Sequence, residues 1–280
     1  MLDYLQPAPD PADPAIAPAF DELSLWAARF GLLLLQHLEL RGNRTILDLG
    51  CGTGFPLFEL AQVHGRSCQV IGVDLWPAGL ARAKAKARVY QLPNAQLVAA
   101  DGAALPFPAA TFDLIVSNLG LNNFAQPAAV LAECSRVAWP GATLALTTNL
   151  QGHMHEFYAV VRQVLQDSGP PEALDRLAHN EAHRGTRESV CALLQDAGFR
   201  VGTVVEESCQ LRFLTGTALF QHFLTRVGFL AGWRAVVDPA AEAALFTTVE
   251  QRLNALAAHQ GSLTLTVPML YVEAHKPASE

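Results

Sequence analysis

The sequence predicts an α/β protein with a mostly parallel sheet and helices on both faces. Short apolar runs alternate with helix-length segments from about residue 45 to residue 148. Strands that are covered on both faces have such continuous apolar runs. Strand–helix alternation implies right-handed crossovers between parallel strands. With 280 residues, 51% of them hydrophobic, the chain can bury a core as one elaborated domain or as a domain plus a cap.

The N-terminal segment is expected to differ from the rest. Residues 1–20 form a proline-rich tail with little to pack, and we predict an extended, partly disordered backbone there. From Asp21 to about Leu40 the apolar residues follow a helical period, which predicts one helix. These residues are Leu25, Trp26, Phe30, Leu33 and Leu34.

Five strands and three helices are predicted in the alternating region, residues 21–150, together with the N-terminal helix. The strands are TILDLG (45–50), CQVIGVD (68–74), AQLVAAD (95–101), FDLIVSN (112–118) and ATLALTT (142–148). The helices between them are FPLFELAQVHG, PAGLARAKAKARVYQ and PAAVLAECSRV.

After Thr148 the alternation ends, and residues 151–280 are expected to complete the sheet and add a helical cap at about 209–258. Helices are predicted at 153–169, 186–199 and 239–258, and strands at 200–208 and 262–277. Pro268 inside the last strand requires a bulge or an edge position. The strongly apolar stretch 212–233 lacks strand alternation.

The net charge and the cysteine pattern argue against several classes of protein. A net charge of −7 and only three lysines disfavour a nucleic-acid or anionic-membrane surface. Five scattered cysteines without a C-x-x-C pair favour reduced thiols over a disulfide or zinc framework, so no metal is expected. The most apolar early segment, Arg29 to Leu40, is too short to span a bilayer. We therefore expect a soluble, cytoplasmic protein.

A glycine-rich turn follows the first predicted strand. Gly50, Gly52 and Gly54 allow a positive φ and let a ligand approach the main chain, although a tight strand–helix turn alone would also use glycines. A dehydrogenase fingerprint would need a small residue at position 55, where the chain has Phe55.

Polar residues lie at the carboxyl ends of successive predicted strands. They are Asp48, Asp74, Asp101 and Asn118, with Thr148 and Asn149 after the fifth strand. Ligands of open α/β sheets bind outside the carboxyl ends of the strands, so we expect these side chains to converge on one crevice. Asp74 is placed to accept hydrogen bonds from ribose hydroxyls, although taken alone it could be a helix N-cap.

From Thr45 to Thr148 the sequence resembles the class I S-adenosylmethionine-dependent methyltransferases, which have a Rossmann-like fold. LDLGCGTG resembles the first family motif, VIGVDLWP the second, AADGAALPF the third and FDLIVSN the fourth. RVAWPGATLAL resembles the turn into the fifth strand, with Ala142 in place of the family's second glycine. The resemblance implies a seven-stranded sheet whose closing strand is antiparallel, and S-adenosyl-L-methionine as cofactor.

The resemblance also assigns cofactor-binding roles. Asp48, Gly50, Gly52 and Gly54 would border the methionine part, Asp74 the ribose, and Leu75 the adenine. Asp101 and Gly102 would lie near the adenine amino group, and Asn118 with Leu119 at the methionine end.

The acceptor site is less well defined. His153 and His155 are candidate bases that could instead begin a surface helix. Candidate acceptor contacts are Tyr158, Arg212, His222 and Trp233. Arg212 could equally form a surface salt bridge, and the aromatic residues could be core.

Methyl transfer to a small organic acceptor is the predicted function. The layout is similar to family members that methylate quinone precursors at carbon and to those that esterify carboxylates on carrier proteins in biotin synthesis. The alternative is a non-catalytic S-adenosylmethionine-binding sensor or partner subunit. Nucleic-acid methylation is disfavoured because SNLG replaces the Asn-Pro-Pro-aromatic tetrad of base methylation. The sequence leaves the oligomeric state open.

Overall fold

A seven-stranded sheet organises the computed structural model, which describes residues 2–6, 9–10, 12–21 and 26–278. The strand order is β3-β2-β1-β4-β5-β7-β6. Neighbours from β3 to β5 pair in parallel, and β7 pairs antiparallel with β5. The predicted mostly parallel sheet with an antiparallel closing strand is confirmed.

The strands and helices have the following bounds. The strands are β1 Thr45–Leu49, β2 Gln69–Asp74, β3 Ala95–Ala99, β4 Phe112–Asn118, β5 Ala138–Asn149, β6 Arg200–Phe213 and β7 Leu263–His275. The helices are α1 Ala17–Phe20, α2 Ala27–His37, α3 Leu57–His64, α4 Pro77–Tyr90, α5 Pro127–Val137, α6 His155–Ser168, α7 Pro171–Ala182, α8 Arg187–Asp196, α9 Gly216–Gln221, α10 Phe223–Gly228, α11 Leu230–Arg234 and α12 Pro239–Gln260.

Strand β4 occupies the residues that its sequence predicts, because it is apolar on both faces and bounded by a turn at each end. Strand β3 is shorter than predicted and ends at Ala99, so Asp101 lies two residues beyond it. Strand β5 is longer than predicted and begins at Ala138, which pairs with Phe112 across a register irregularity. Such an irregularity adds local bending where pairing begins.

Pro268 lies where the pairing between β5 and β7 stops. The register runs from Thr143↔His275 to Asn149↔Met269, one residue short of the proline. Proline has no N–H to donate, and at this position β5 requires no hydrogen bond from it. The Pro268 carbonyl accepts instead from the N–H of Leu150.

The chain divides into two units. We call sheet unit the described residues of 10–149, 185–207 and 269–280, and helical unit Leu150–Arg184 and Ser208–Pro268 with the described residues of 1–9. The helical unit therefore includes α6 and α7 in addition to the stretch at about 209–258 that was predicted as a helical cap. The apolar stretch 212–233 supplies the end of β6 and three short helices, α9 to α11.

Aromatic side chains form the core of the helical unit. The rings of Phe157 and Trp233 stack with centroids 4.0 Å apart, and Phe220 meets Phe246 edge to face at 5.6 Å. Such ring pairs contribute packing energy beyond their buried area.

The N-terminal segment packs more than its sequence predicts. Tyr4 is buried, stacks on Phe220 with centroids 4.7 Å apart, and donates a hydrogen bond to Glu250 at 2.7 Å. In the sheet unit, α1 buries Ala17. The expectation of an extended segment with little to pack is therefore corrected at these positions.

The predicted N-terminal helix is shorter than expected. Helix α2 begins at Ala27 and ends at His37, and it buries Phe30, Leu33 and Leu34 as its apolar period predicts. Leu25 lies outside the described residues.

Candidate cofactor site and acceptor residues

The glycine turn between β1 and α3 takes the backbone through three positive φ angles. Gly50, Gly52 and Gly54 have φ values of 77°, 52° and 101°. L-residues other than glycine rarely adopt such angles, which accounts for the spacing of the motif. The N–H groups of Gly50 and Cys51 both donate to the carbonyl of Val73, which fixes the turn against β2.

The three glycines have different surroundings. A Cβ added at Gly54 would lie 2.1 Å from a ring carbon of Phe58, so this glycine is required for packing. A Cβ added at Gly52 would have no atom of the described residues within 4 Å. Gly52 therefore leaves open space beside the main chain, as expected where a ligand approaches the backbone.

Asp74 connects the end of β2 to this turn. Its Oδ2 accepts from the N–H of Gly52 at 2.7 Å, and its Oδ1 accepts from the N–H of Trp76 at 2.8 Å. It is not the N-cap of α4, because that position belongs to Trp76. A carboxylate has about four lone-pair sites, so capacity for ribose hydroxyls remains after these two bonds.

The strand register places three of the predicted polar residues, Asp48, Asp74 and Asn118, on one face of the sheet. Thr148 lies on the opposite face because its neighbour Thr147 pairs with Asn118, so the expectation is corrected for Thr148. Asp48 pairs with Gly72 in β2 and with Val116 in β4. Side chains two residues apart on a strand share a face, so Asp74 and Asn118 lie on the same face as Asp48. The predicted convergence therefore has a geometric basis in the register.

Asp48 is fully buried at 0% exposure. No described residue makes a hydrogen bond of ordinary geometry to its two carboxylate oxygens. Burial, and next the neighbouring Asp74 carboxylate, raise the pKa of Asp48 to about 8, although the N–H of Leu57 offsets part of the rise. An uncompensated carboxyl group in the interior is costly, and a cationic ligand beside it would remove that cost.

Cys51 is buried within the turn, where burial and the charges of Asp48 and Asp74 raise the pKa of its thiol. A thiol that stays protonated is a poor nucleophile. Its sulfur would lie 2.8 Å from a Cβ added at Gly72. These contacts support a packing role.

Asn118 is bonded on both sides of its amide. Its Nδ2 donates to the carbonyl of Ala27 at 3.1 Å, and its Oδ1 accepts from the Thr147 hydroxyl at 2.7 Å. The next residue, Leu119, has a φ of 64°, which is unfavourable for leucine. Strained backbone of this kind concentrates at binding sites.

The adenine-side candidates lie nearer the surface. Leu75, the predicted adenine contact, is 63% exposed. Asp101 is exposed and accepts from the N–H of Ala103 at 2.9 Å. A Cβ added at Gly102 would be 3.3 Å from Leu49, so the position is tight.

Comparison with known proteins identifies the family. A methyltransferase domain model matches residues 47–146. Over 198 residues the chain is 31% identical to the 2-phytyl-1,4-naphtoquinone methyltransferase of Thermosynechococcus vestitus, covering 66% of this chain and 87% of that protein. The chain belongs to the S-adenosylmethionine-dependent methyltransferases. It is therefore an enzyme of this class, and S-adenosylmethionine is its cofactor.

Two further methyltransferases extend the comparison. The chain is 29% identical over 249 residues to the nocamycin O-methyltransferase of Saccharothrix syringae, covering 85% of this chain and 88% of that one. A solved SAM-dependent methyltransferase from Aquifex aeolicus superposes with a TM-score of 0.53 at 26% identity, covering 69% of this chain and 92% of that chain.

The residues at the strand ends fit the cofactor of this methyltransferase. The open space at Gly52 admits a ligand next to the main chain. Buried Asp48 has no compensating partner among the described residues, as expected beside a molecule that carries a positive charge.

Among the acceptor candidates, Tyr158 and Trp233 bond to each other. Trp233 Nε1 donates to the Tyr158 hydroxyl at 3.1 Å, and that hydroxyl donates to Asn180 Oδ1 at 3.0 Å. Both side chains are buried in the helical unit. Their polar atoms hold this core together, so any acceptor contact would use their rings.

The two candidate histidines have opposite environments. His155 is 63% exposed and lies 3.4 Å from Glu156, which fits the surface-helix alternative. His153 is buried, and burial, followed by the charge of Arg184, lowers the pKa of His153 to about 3. His153 is therefore neutral at physiological pH, and a base this weak removes a proton poorly.

His222 and Arg212 are not brought together. Burial lowers the pKa of His222, whose ring meets Phe213 edge to face at 5.5 Å. Arg212 is exposed on β6 and donates to the Ser262 hydroxyl at 3.2 Å, which favours the surface alternative.

Asn122 is a polar residue at the carboxyl edge to which the sequence assigned no role, and it bonds to Asn149, one of the polar residues expected there. Asn122 Nδ2 donates to the Asn149 main-chain oxygen at 3.0 Å and to its Oδ1 at 2.9 Å. The asparagine-rich turn NLGLNN after β4 is the sequence signal, since asparagines favour turns.

Three features of the whole chain complete the description. Within the described residues, no helix has the length and apolar character needed to cross a bilayer. In the same residues, no group of three or more His, Cys, Asp or Glu side chains could hold a metal ion. The five cysteines are free thiols.

Proposed function

We propose that this methyltransferase transfers a methyl group to a small organic acceptor. The observation that carries the proposal is the glycine turn with Asp48 and Asp74 at its two sides. The names of two relatives support a small organic acceptor, because one name refers to a naphtoquinone and the other to nocamycin.

Each strand end has a proposed part in binding the cofactor. Asp74 accepts hydrogen bonds from the ribose, Leu75 offers an apolar surface to the adenine, and Asp101 with Gly102 borders the same ring. Gly50, Gly52 and Gly54 keep side chains away from the ligand. Asp48 balances positive charge from the interior, and Asn118 with Leu119 borders the methionine end.

S-adenosylmethionine supplies an activated methyl group on a cationic sulfonium. The protein must then align the acceptor and exclude water, which is where methyl transfer gains most of its rate. The helical unit contains an apolar aromatic core. Tyr158, His222 and Trp233 are the proposed acceptor-side residues of this core, and Arg212 is a surface residue.

Acid–base chemistry is a minor part of this proposal. His155 is exposed, and buried His153 has a pKa lowered to about 3. A base is required only when the acceptor must lose a proton during transfer. We therefore assign no catalytic base to the described residues.

Isothermal titration with S-adenosylmethionine and S-adenosylhomocysteine tests the cofactor site. Asp74→Ala should weaken binding of both at least about tenfold, because hydrogen bonds to a charged acceptor contribute about 1.5–3 kcal/mol each. Asp74→Ala also removes the bond to the Gly52 N–H, so the unfolding midpoint must be measured in parallel.

Asp196→Asn is the matched control, because it removes an exposed carboxylate at the end of α8. Unchanged affinity in folded Asp74→Ala would refute the proposed site. The acceptor class is tested by following methyl transfer from radiolabelled S-adenosylmethionine to quinols, phenols and carboxylic acids. Transfer only to protein or nucleic acid would refute a small acceptor.

A further inference from the structure

The side chain of Asn149 has a buried hydrogen-bond donor for which the described residues provide no acceptor. Asn149 is the last residue of β5 and is 3% exposed. Its Nδ2 is inaccessible to solvent and has no partner among the described residues. Buried amide groups are nearly always bonded, so an unbonded one requires an explanation.

The orientation of this amide follows from its neighbour. Asn122 faces the main-chain oxygen of Asn149, and a carbonyl oxygen only accepts, so the facing atom of Asn122 must be its Nδ2. The same nitrogen faces the Asn149 side chain at 2.9 Å, so the atom it meets there must be Oδ1. The Asn149 NH₂ group is therefore directed away from Asn122.

The register places Asn149 within the polar array of the sheet unit. Asn118 pairs with Thr147 and bonds to its hydroxyl, so these two side chains share a face. Asn149 is two residues beyond Thr147 on the same strand and shares that face. In the strand order, β5 lies on the side of β4 away from β1 and β2.

This position separates Asn149 from the adenosine-side residues. The ribose candidate Asp74 is on β2, and the methionine-end candidate Asn118 is on β4. Along the carboxyl edge of the sheet, the strand ends follow in the order β2, β1, β4 and β5. A group at this end of the edge lies beyond the methionine-end candidates.

A purely structural role accounts for the side-chain oxygen of Asn149 but not for its NH₂ group. The bonds from Asn122 hold the turn after β4 against the end of β5, and they use the two oxygens of Asn149. An unmade bond at a buried donor costs about 1–3 kcal/mol. No described residue accepts from the NH₂ group, and an oxygen of a bound ligand that accepts from it would remove that cost.

We propose that Nδ2 of Asn149 donates a hydrogen bond to an oxygen atom of the methyl acceptor and that Asn122 is the positioning residue for this amide. The inference rests on the proposed function and narrows the acceptor to molecules with a carbonyl, hydroxyl or carboxylate oxygen. A donor at this position favours the deprotonated form of a hydroxyl acceptor. It disfavours ammonium groups, which have no lone pair to accept the hydrogen bond.

The test compares two probes of similar shape on the full chain saturated with S-adenosylhomocysteine. Isothermal titration measures Kd for 2-naphthol, which carries an oxygen, and for 2-methylnaphthalene, which does not. The wild type should prefer 2-naphthol about two- to tenfold, the range expected for one hydrogen bond. Asn149→Ala should remove the preference and leave the Kd of S-adenosylhomocysteine within about twofold of wild type.

Two further variants keep the test decisive. Asn149→Leu preserves the branched shape without a donor, in case the alanine variant does not fold, and should also lose the preference. Asn122→Ala should reduce the preference, which is the ratio of the two Kd values. General destabilisation of the protein would affect both Kd values alike and leave this ratio unchanged. Asn123→Ala is the control, because Asn123 bonds instead to the Leu119 carbonyl.

Two results would overturn the inference. One is a wild type that binds S-adenosylhomocysteine but shows no preference for 2-naphthol, or a preference that survives both Asn149 variants. The other is a tenfold loss of S-adenosylhomocysteine affinity in those variants, which would assign the donor to the cofactor carboxylate. Failure of the wild type to bind S-adenosylhomocysteine would instead refute the proposed function.

Discussion

The buried carboxyl group of Asp48 should make the stability of the free enzyme depend on pH. The pKa of Asp48 rises from an ordinary value of 3.8 to about 8, first because of burial and then because of Asp74. Between these two values the folded protein keeps the proton, whereas the unfolded chain loses it. The perturbation that isolates this effect is Asp48→Asn, which keeps the shape and cannot ionise.

The sign and size follow from proton linkage. The native state binds one more proton than the unfolded state in this window, so the free energy of unfolding falls as pH rises. One proton corresponds to about 1.4 kcal/mol per pH unit, or about 3 kcal/mol between pH 5 and pH 7. The stability that the protonated carboxyl contributes is complete below about pH 4 and lost as pH rises through about 8.

The assay is urea unfolding of the free protein at pH 5, 6 and 7. The wild type should lose stability more steeply than Asp48→Asn, and the two curves should diverge by about 3 kcal/mol over this range. Asp196→Asn controls for the loss of one carboxylate. Parallel curves for wild type and Asp48→Asn would refute the reasoning, because they would mean that Asp48 ionises equally in both states.

Two further predictions concern the turn and the helical core. Gly52→Ala should lower the free energy of unfolding by about 1 kcal/mol because of its positive φ, and it should weaken S-adenosylhomocysteine binding at least tenfold. Gly54→Ala should lower the free energy of unfolding by about 2 kcal/mol or more, because the added methyl group would clash with the Phe58 ring. Urea unfolding and isothermal titration separate the two effects, and equal ligand affinity in Gly52→Ala and wild type would contradict the assignment. Trp233→Phe should lower the free energy of unfolding by about 1–2 kcal/mol by removing the bond to Tyr158, and an unchanged urea midpoint would contradict it.

Much of the fold could be predicted because its signals are local. The strand β4 was predicted at its observed bounds, and β1, β2, α3, α4 and α5 to within a few residues, since apolar runs and helical periods are read directly from neighbouring residues. Helix α7 was not predicted, and the segment 212–233 did not indicate three short helices. Tyr4 packs against residues more than 200 positions away, so no local pattern could reveal its burial.

The candidate site was predictable to a similar degree. The three glycines belong to one short motif and Asp74 to a second one, and the positive φ angles and the bond from the Gly52 N–H to Asp74 give both motifs a physical reason in the backbone. The acceptor residues were harder, because type and spacing do not reveal exposure. His153 and His155 are two residues apart, yet one is buried and neutral and the other is on the surface.

The sequence by itself determined the alternating α/β fold, the glycine turn and the family, because these depend on periodicity and on a motif of consecutive residues. Only the tertiary structure decided which buried polar groups have no partner among the described residues. The buried carboxyl of Asp48 and the free amide nitrogen of Asn149 result from neighbours brought close by the sheet register and by the turn after β4. Burial and hydrogen-bond satisfaction depend on such distant contacts, which local patterns of residues do not encode.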